Sequence, residues 1–546
     1  MSTSRPALRA IVAVFALAGL AQLPFFDRSI VSLDEGQLSA IGYRQLLGDV
    51  LYRDIYTGLF PGIYWLTAGL FAVAGVDLVV LRAAQLIVNA ATAAGLFCLA
   101  QPMVSRRAAA MVAGAYIFLV LLTFPGLTML AYSSLSLLAA IGALLAARRY
   151  LETASSSAGI ATGLLLAACV LFKQNYGALV LLSVTIGLIW NRRDSAWADK
   201  PLLALFSAPV LSGAAAGAVA AGAILLGGAW PHFFEATFLT IFKSQLEAFH
   251  QPLPPVLGAH PPNDGLFVFQ YAPSILFGYL VRGGSLGRPW VLSLAVRIGY
   301  GVAYVALALI PLLIWRYTRG GDASVRRDAR LILPFAGLFF VGIFPSAIWS
   351  HLAAVFPPLI LVLAAALSRA RRALVSSLPA IDGAVRWAIL AVCAVVTLVG
   401  AKMAVDLNGW YEERLLLPGA SMHVSRREAY LYRAATDFLT ECSREREHVF
   451  VAPEMPLLYV TSGKRNPTPY DLVIPGDVRD PVMVERLDAT GVECIVYNPQ
   501  MYVQFVSFDK LFPSLYAYLQ EHFRITRTIE SQGTHWQFLR RREARL

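Results

Sequence analysis

The sequence predicts a polytopic membrane protein built from α-helices. Of its 546 residues, 57% are hydrophobic and only 14% are charged, whereas a soluble protein of this length has roughly a quarter charged residues. The apolar runs are long and unbroken instead of alternating with polar residues. Such runs are typical of membrane-spanning helices and not of a β-barrel.

Eleven apolar segments are long enough to be candidate spans. The first has Arg5 before it and Arg9 at its start and is followed by no small-residue cleavage site, so we expect an uncleaved anchor. Each segment is close to the roughly 20 residues that a bilayer requires, although a few are shorter. The segments are 8–26, 78–100, 108–124, 128–147, 158–172, 176–190, 203–227, 291–315, 331–348, 352–368 and 386–404.

Arginine-rich loops set the predicted topology. If the N-terminus is cytoplasmic, every such loop falls on the cytoplasmic side, as the positive-inside rule requires. These loops contain Arg106-Arg107, Arg148-Arg149, Arg192-Arg193, 316–330 and 369–372. The apolar stretches 59–76 and 265–281 must then not cross, so we predict amphipathic helices lying on the outer face.

The extracytoplasmic side then receives the first outer loop, 27–77, and a long amphipathic loop, 228–290. It also receives everything after residue 405, where helical periodicity mixes with short β-rich runs. We therefore predict a membrane domain over 1–405 and a small soluble α/β domain over 406–546. Because the sequence shows no eukaryotic signals, we expect the membrane to be a bacterial inner membrane.

The net charge of +11 would suggest nucleic-acid binding in a soluble protein. Here the basic residues lie in short loops, which fits topology and anionic lipid, so we expect no nucleic-acid partner. The sequence shows no zinc-ligand spacing, phosphate-binding loop or dinucleotide fingerprint. We predict no cofactor and leave open whether a divalent metal assists. Cys442 and Cys494, in the polar tail, could pair in an oxidising compartment.

Two adjacent acids, Asp34 and Glu35, follow the first span on the predicted outer side. A carboxylate at a membrane surface, beside low-dielectric protein, can gain the basicity that proton removal requires. The stretch from Leu33 to Gly36 would serve equally well to cap a short helix. Both interpretations stay open at this stage.

Further along the first outer loop, Tyr52, Arg53 and Asp54 are adjacent. For Asp54 the sequence favours a structural ion pair with Arg53 or Arg44 over a direct part in chemistry.

Three cationic or titratable side chains lie at the predicted outer ends of spans: Arg82, Lys173 and His351. Lys173, which is followed by Gln174, is a cation on the predicted outer side, where the positive-inside rule expects few. It could bind the phosphate of a lipid carrier. The alternative is that Lys173 reaches toward lipid headgroups, as lysines near helix ends commonly do. A lone histidine such as His351 is more often a satisfied interface residue than a ligand.

Several of these motifs resemble the first outer loop of GT-C glycosyltransferases, particularly the protein O-mannosyltransferase and lipid A aminoarabinose transferase branch. The motifs are Asp34-Glu35-Gly36, the run from Gly48 to Asp54, Phe60-Pro61-Gly62-Ile63-Tyr64, Gly75 and Leu81-Arg82. Lys173-Gln174-Asn175 and the run from Ser350-His351 to Pro357-Pro358 resemble two further outer-face motifs of the superfamily. This sequence departs from the pattern of the superfamily at two places. It has no acid between Pro125 and Ser134, and it has His351 where an Arg-Tyr pair is common.

The resemblance implies a GT-C fold and a sugar donor linked to polyprenyl phosphate. It also implies transfer on the non-cytoplasmic face, with an aspartate of the first outer loop, here Asp34, as the catalytic base. The resulting hypothesis is an inverting transferase acting on a hydroxyl of a lipid, polysaccharide or protein. Glu35 would assist catalysis; Lys173, Arg82 and His351 would contact the donor phosphate. The predicted substrate-positioning residues are Tyr52, Arg53, Asp54 and Gln174. The main alternative is a transporter or flippase of a lipid-linked sugar.

Overall fold

The computed structural model describes most of the chain. The described residues are 5–241, 246, 249–257, 265–319, 322–378, 381–443, 446–474, 478–499, 507–531 and 534–542. Parts of the predicted loop 228–290 therefore lie outside the described residues. The chain divides into two compact units. Unit 1 comprises Met1–Phe26, Ala84–Ala220 and His250–Asp406, and unit 2 comprises Asp27–Ala83, Ala221–Phe249 and Leu407–Leu546.

Helices dominate the first 410 residues. In chain order they are α1 (Arg5–Leu20), α2 (Asp34–Leu46), α3 (Gly62–Ala74), α4 (Leu78–Ala100), α5 (Arg106–Leu122), α6 (Tyr132–Thr153), α7 (Ser156–Phe172), α8 (Gln174–Asn191), α9 (Leu202–Leu226), α10 (Trp230–Phe234), α11 (Gly265–Tyr271), α12 (Ser274–Val281), α13 (Pro289–Arg319), α14 (Ala323–Val341), α15 (Trp349–Val355), α16 (Pro357–Ser377) and α17 (Ile381–Trp410). Each predicted span overlaps one of these helices.

Among the described residues, five helices are long and apolar enough to cross a membrane: α4, α6, α9, α13 and most of α17. The pair α15 and α16, bent by 58°, would make a sixth. The chain therefore has the helices of a multi-pass membrane protein, while the number of eleven spans stays a prediction. Helix α3 has 13 residues, which is about 20 Å at 1.5 Å per residue and too short to cross a bilayer.

The C-terminal part of unit 2 is an α/β structure. Its helices are α18 (Arg426–Cys442), α19 (Leu457–Ser462), α20 (Asp480–Ala489), α21 (Phe508–Leu511) and α22 (Pro513–His522). Its strands are β1 (Glu413–Leu417), β2 (Ala420–Val424), β3 (Phe450–Ala452), β4 (Cys494–Tyr497), β5 (Phe523–Ser531) and β6 (Thr534–Arg541).

Strands β1 and β2 form an antiparallel hairpin, and the other four form a sheet in the order β3-β4-β6-β5. Only β3 and β4 run parallel in that sheet. Helix α18 begins with a capping box in which Ser425 and Glu428 satisfy each other's backbone N–H groups. A disulfide joins Cys442, at the end of α18, to Cys494 in β4, with 6.1 Å between their Cα atoms.

Unit 2 also contains the first outer loop. Helix α2 approaches α19 so closely that a Cβ on Gly36 would lie 3.2 Å from the backbone nitrogen of Leu457. On its other side, a Cβ on Gly42 would lie 2.5 Å from the Thr67 side chain of α3. These close approaches fix α2 between the loop and the C-terminal α/β structure. The compact units group 27–77 with 407–546, and the division at residue 405 stays a prediction.

Candidate active site

Helix α2 carries Asp34 and Glu35 in its first turn. Acidic side chains are favourable there, because the backbone N–H groups at a helix N-terminus concentrate partial positive charge. Glu35 Oε2 accepts a hydrogen bond from the Val31 N–H at 3.3 Å. The N-cap residue of α2, Leu33, makes no side-chain capping hydrogen bond, so the capping role considered from the sequence is not seen there.

Glu35 and Arg82 form a buried ion pair. Arg82 Nη2 donates to Glu35 Oε2 at 2.7 Å, and Arg82 Nε donates to the other carboxylate oxygen. The Arg82 and Glu35 side chains are 0% and 1% exposed. Arg82 also donates to the Ser29 carbonyl at 3.1 Å. In this bidentate geometry each side chain compensates the charge of the other, and the pair holds Arg82 against the first turn of α2.

Asp34 differs from Glu35 in its exposure and in its hydrogen-bond and ion-pair partners. Its side chain is exposed, and no described residue donates a hydrogen bond to its carboxylate or pairs with it. Desolvation of the carboxyl group by the surrounding protein raises the pKa of Asp34 to about 6, and the negative charge of Glu35 adds to the effect. An accessible carboxylate with a raised pKa is suited to accept a proton near neutral pH.

The other end of α2 is held by Arg44. Its guanidinium donates to Asp49 at 2.7 Å and to Asp471 at 3.1 Å. It also donates to the Thr468 carbonyl at 3.0 Å and to the Asp54 carbonyl at 2.8 Å. Because these bonds are largely buried, α2 is fixed at both ends, and the position of Asp34 is fixed with it.

Tyr52, Arg53 and Asp54 make contacts that shape the loop after α2. Arg53 Nη2 donates to Asp54 Oδ2 at 2.8 Å, and the Val50 N–H donates to the same oxygen at 2.8 Å. The Arg53 guanidinium, by that hydrogen bond, lowers the pKa of Asp54. Tyr52 is buried, has a φ of 70° and donates its hydroxyl to the Leu59 carbonyl at 2.8 Å. These contacts are structural, and a substrate-positioning role for the three residues stays a prediction.

A second cluster surrounds Lys173, in the connection between α7 and α8 of unit 1. Lys173 is 7% exposed, and its Nζ donates to Ser133 Oγ at 3.0 Å. The same nitrogen lies 3.7 Å from the ring centre of Tyr176 and 5.0 Å from that of Tyr132. No described carboxylate lies within ion-pair distance of it, and burial lowers the pKa of Lys173 to about 7.

His351, on α15, is close enough to Lys173 for their charges to interact. Its Nδ1 donates to the Ser346 carbonyl at 2.6 Å. Gln174 is the first residue of α8. A hydroxyl, two aromatic rings and a histidine around an ammonium group that lacks a carboxylate form a suitable environment for an anion.

The predicted site residues thus fall in both units. Unit 2 holds Asp34, Glu35, Arg82, Tyr52, Arg53 and Asp54, and unit 1 holds Lys173, Gln174 and His351. Sequence reasoning missed Tyr132 and Ser133, although polar residues at the start of an apolar span were a usable signal. Within the described part of the chain, no group of three or more His, Cys, Asp or Glu side chains could hold a metal ion.

Comparison with known proteins agrees with this architecture. The sequence profile of the dolichyl-phosphate-mannose-protein mannosyltransferase family matches residues 60–216. No curated protein matches the chain in sequence. An archaeal oligosaccharyltransferase, AglB from Archaeoglobus fulgidus, solved with an inhibitory peptide and a dolichol-phosphate, is similar in structure. Its identity is 11%, its TM-score is 0.52, and the match covers 96% of this chain and 74% of AglB.

ArnT from Cupriavidus metallidurans is similar over almost the whole length of both chains. The structure bound to undecaprenyl phosphate has 14% identity and a TM-score of 0.50, with 97% of each chain covered. The apo structure has 15% identity and a TM-score of 0.50, with 98% of each chain covered.

The fold of this chain is similar to those of AglB and ArnT, and the resemblance to GT-C glycosyltransferases predicted from the sequence is confirmed. Within that class, residues 60–216 are similar to the protein mannosyltransferases. The predicted enzyme class, a glycosyltransferase, is confirmed.

Proposed function

We propose that this protein transfers a sugar from a polyprenyl-phosphate-linked donor to an acceptor hydroxyl, with inversion at the anomeric carbon. The observation that carries the proposal is Asp34, an exposed carboxylate without a partner among the described residues and with a pKa raised to about 6. The bound undecaprenyl phosphate of ArnT and dolichol-phosphate of AglB support a lipid phosphate as the donor's leaving group.

The reaction is a single displacement. Asp34 removes the proton of the acceptor hydroxyl while its oxygen forms a bond to the anomeric carbon from the face opposite the phosphate. The bond between that carbon and the phosphate oxygen breaks, and the electron pair leaves with the polyprenyl phosphate. General-base assistance of this kind contributes about 10²–10⁴-fold to a rate.

Lys173 is the proposed contact for the donor phosphate. Its buried ammonium has a hydroxyl and aromatic partners but no described carboxylate, so an incoming phosphate would supply the missing negative charge. A cation there stabilises the charge that develops on the leaving oxygen. His351, which lies close to Lys173, is the proposed second group at the phosphate, and Gln174 is the proposed neighbour that orients the donor.

For Arg82 and Glu35 we propose a positioning role. The sequence suggested a phosphate contact for Arg82 and a catalytic part for Glu35, yet the two side chains bury and neutralise each other. Glu35 directly follows Asp34. The Arg82–Glu35 pair therefore holds the first turn of α2, and with it the proposed base Asp34, in place.

We place the reaction on the extracytoplasmic face of a bacterial inner membrane, with the N-terminus cytoplasmic. The Cys442–Cys494 disulfide supports this side for the C-terminal region, because disulfides persist in oxidising compartments. The acceptor is a hydroxyl of a lipid, a polysaccharide or a protein.

Purified protein incubated with a panel of polyprenyl-phosphate sugars and candidate acceptors tests the proposal. We expect release of polyprenyl phosphate coupled to formation of a glycosylated acceptor of inverted anomeric configuration. Translocation of such lipids across a reconstituted bilayer without any transfer would support the flippase alternative instead.

A further inference from the structure

Four arginines lie on two helices that pack against each other, α13 and α16. Arg316 and Arg319 occupy the last turn of α13, and Arg369 and Arg372 lie in the C-terminal half of α16. The Arg369 guanidinium lies 3.8 Å from the centre of the Tyr317 ring, so the C-terminal half of α16 contacts the last turn of α13. Arg316, Arg319, Arg369 and Arg372 are called here the arginine cluster.

The arginine cluster carries positive charge that no described acid compensates. None of its four members forms an ion pair with a described carboxylate. Asp382, on the adjoining helix α17, pairs with Arg371 at 2.6 Å and with Arg386 at 2.5 Å. An anion beside arginines that lack acidic partners is electrostatically favourable.

Aromatic and apolar side chains border the arginine cluster. The guanidinium groups of Arg316 and Arg319 lie 5.1 and 5.0 Å from the Trp315 ring, which is itself 44% exposed. Leu312 and Leu367, close to these arginines along their helices, are 49% and 70% exposed. Exposed leucines on apolar helices, followed by tryptophan and then arginine, are typical of the boundary between hydrocarbon and headgroups.

We propose that the arginine cluster binds the headgroup of an anionic phospholipid of the phosphatidylglycerol class. Guanidinium groups recognise phosphate oxygens bidentately, and the acyl chains cover the exposed leucines. Trp315 lies at headgroup depth, where its ring shields two of the arginines. This lipid is distinct from the sugar donor, and its binding does not depend on the proposed transfer reaction.

Thermal unfolding in detergent, with added lipid, tests the proposal. The probes are phosphatidylglycerol, phosphatidylcholine with the same acyl chains, and inorganic phosphate. The variants are the quadruple change R316Q/R319Q/R369Q/R372Q and the exposed single changes Arg316→Gln and Arg319→Gln. A control with the same change in charge is R426Q/R486Q/R524Q/R540Q, which alters four exposed arginines of the C-terminal region.

We expect phosphatidylglycerol to raise the Tm of the wild type and of the control variant, because a ligand that binds the folded state stabilises it. The quadruple cluster variant should lose most of that shift, and each single variant should lose part of it. The proposal is overturned if the single variants respond as the wild type does, or if phosphatidylcholine produces the same shift. It is also overturned if inorganic phosphate reproduces the shift, since the site would then be an ion site without a lipid.

Discussion

Arg82 Nη2 lies 2.7 Å from Glu35 Oε2, in an ion pair that is almost fully buried beside the exposed carboxylate of Asp34. Two consecutive acids on one helix therefore have opposite environments. Glu35 is neutralised and fixed, whereas Asp34 is accessible and has a pKa raised to about 6. A pair of carboxylates separated in this way by their surroundings is a common arrangement where one of them acts on a proton.

Breaking this ion pair from one side should destabilise the protein. Arg82→Met leaves Glu35 charged, buried and without its ion partner, and changes of that kind typically cost about 3–5 kcal/mol. The double variant Arg82→Met/Glu35→Leu removes both charges and should recover much of the loss. Thermal unfolding of the four proteins in a double-mutant cycle measures the coupling. Additive effects of the two changes would show that the pair is not coupled in solution.

Loss of Lys173 should weaken donor binding. In Lys173→Ala the buried ammonium is gone, so the thermal stabilisation by a polyprenyl phosphate should fall, and KM for the donor should rise more than KM for the acceptor. Lys173→Arg, which keeps the charge, should retain part of the effect. Lys200→Ala, an exposed lysine next to a tryptophan, is the matched control. If Lys173→Ala has the same affinity for the donor as Lys200→Ala, Lys173 does not contact the donor phosphate.

The raised pKa of Asp34 has a consequence for stability. A carboxyl group whose pKa is near 3.8 when unfolded and about 6 when folded releases its proton more readily in the unfolded state. The free energy of unfolding therefore falls as pH rises from about 4 to 6. Asp34→Asn, which cannot ionise, should raise the Tm at pH 7 and leave it unchanged at pH values below 4. Thermal scans across this range measure the effect, and equal curves at pH 7 would show that Asp34 titrates normally.

The C-terminal region should depend on its disulfide and lie outside the cytoplasm. Replacing Cys442 and Cys494 by serine should lower stability by about 2–4 kcal/mol, as removal of a structural disulfide typically does. In intact cells, a membrane-impermeant thiol reagent should label a cysteine introduced at Arg524, which is exposed in β5. A cysteine at Arg193 should be protected. The reverse pattern of labelling would invert the proposed topology.

Some of this structure was predictable because it depends on local patterns. Apolar runs near 20 residues located the long helices, and the apolar stretch 59–76 contains α3. The β-rich runs of the polar tail, 448–452, 492–497 and 523–529, coincide with strands β3, β4 and β5. Strand β6 was missed, since its alternation of Trp536, Phe538 and polar residues ends in arginines and resembles a charged tail.

Side-chain pairing could not be predicted in the same way. The partner of Glu35 lies 47 residues away, at Arg82, and no spacing rule connects a loop helix to a residue in the next long helix. The contact between Lys173 and Ser133 spans 40 residues. The Arg44 contact with Asp471 spans 427 residues, and it exists only because the first outer loop packs within unit 2.

The most direct test of the central claim is the rate of sugar transfer by Asp34→Asn. As a matched control, Asp77→Asn changes an acid of the same predicted outer loop whose carboxylate accepts hydrogen bonds from the Ser421 hydroxyl and the Val79 N–H. The wild-type kcat/KM should rise with pH to a plateau, with an apparent pKa near 6, because only the ionised carboxylate accepts the acceptor's proton. Asp34→Asn should lose about 10²–10⁴-fold in rate together with that inflection, while folding and donor binding persist and Asp77→Asn retains most activity. Transfer by Asp34→Asn at the wild-type rate, with the same pH profile, would contradict Asp34 as the catalytic base.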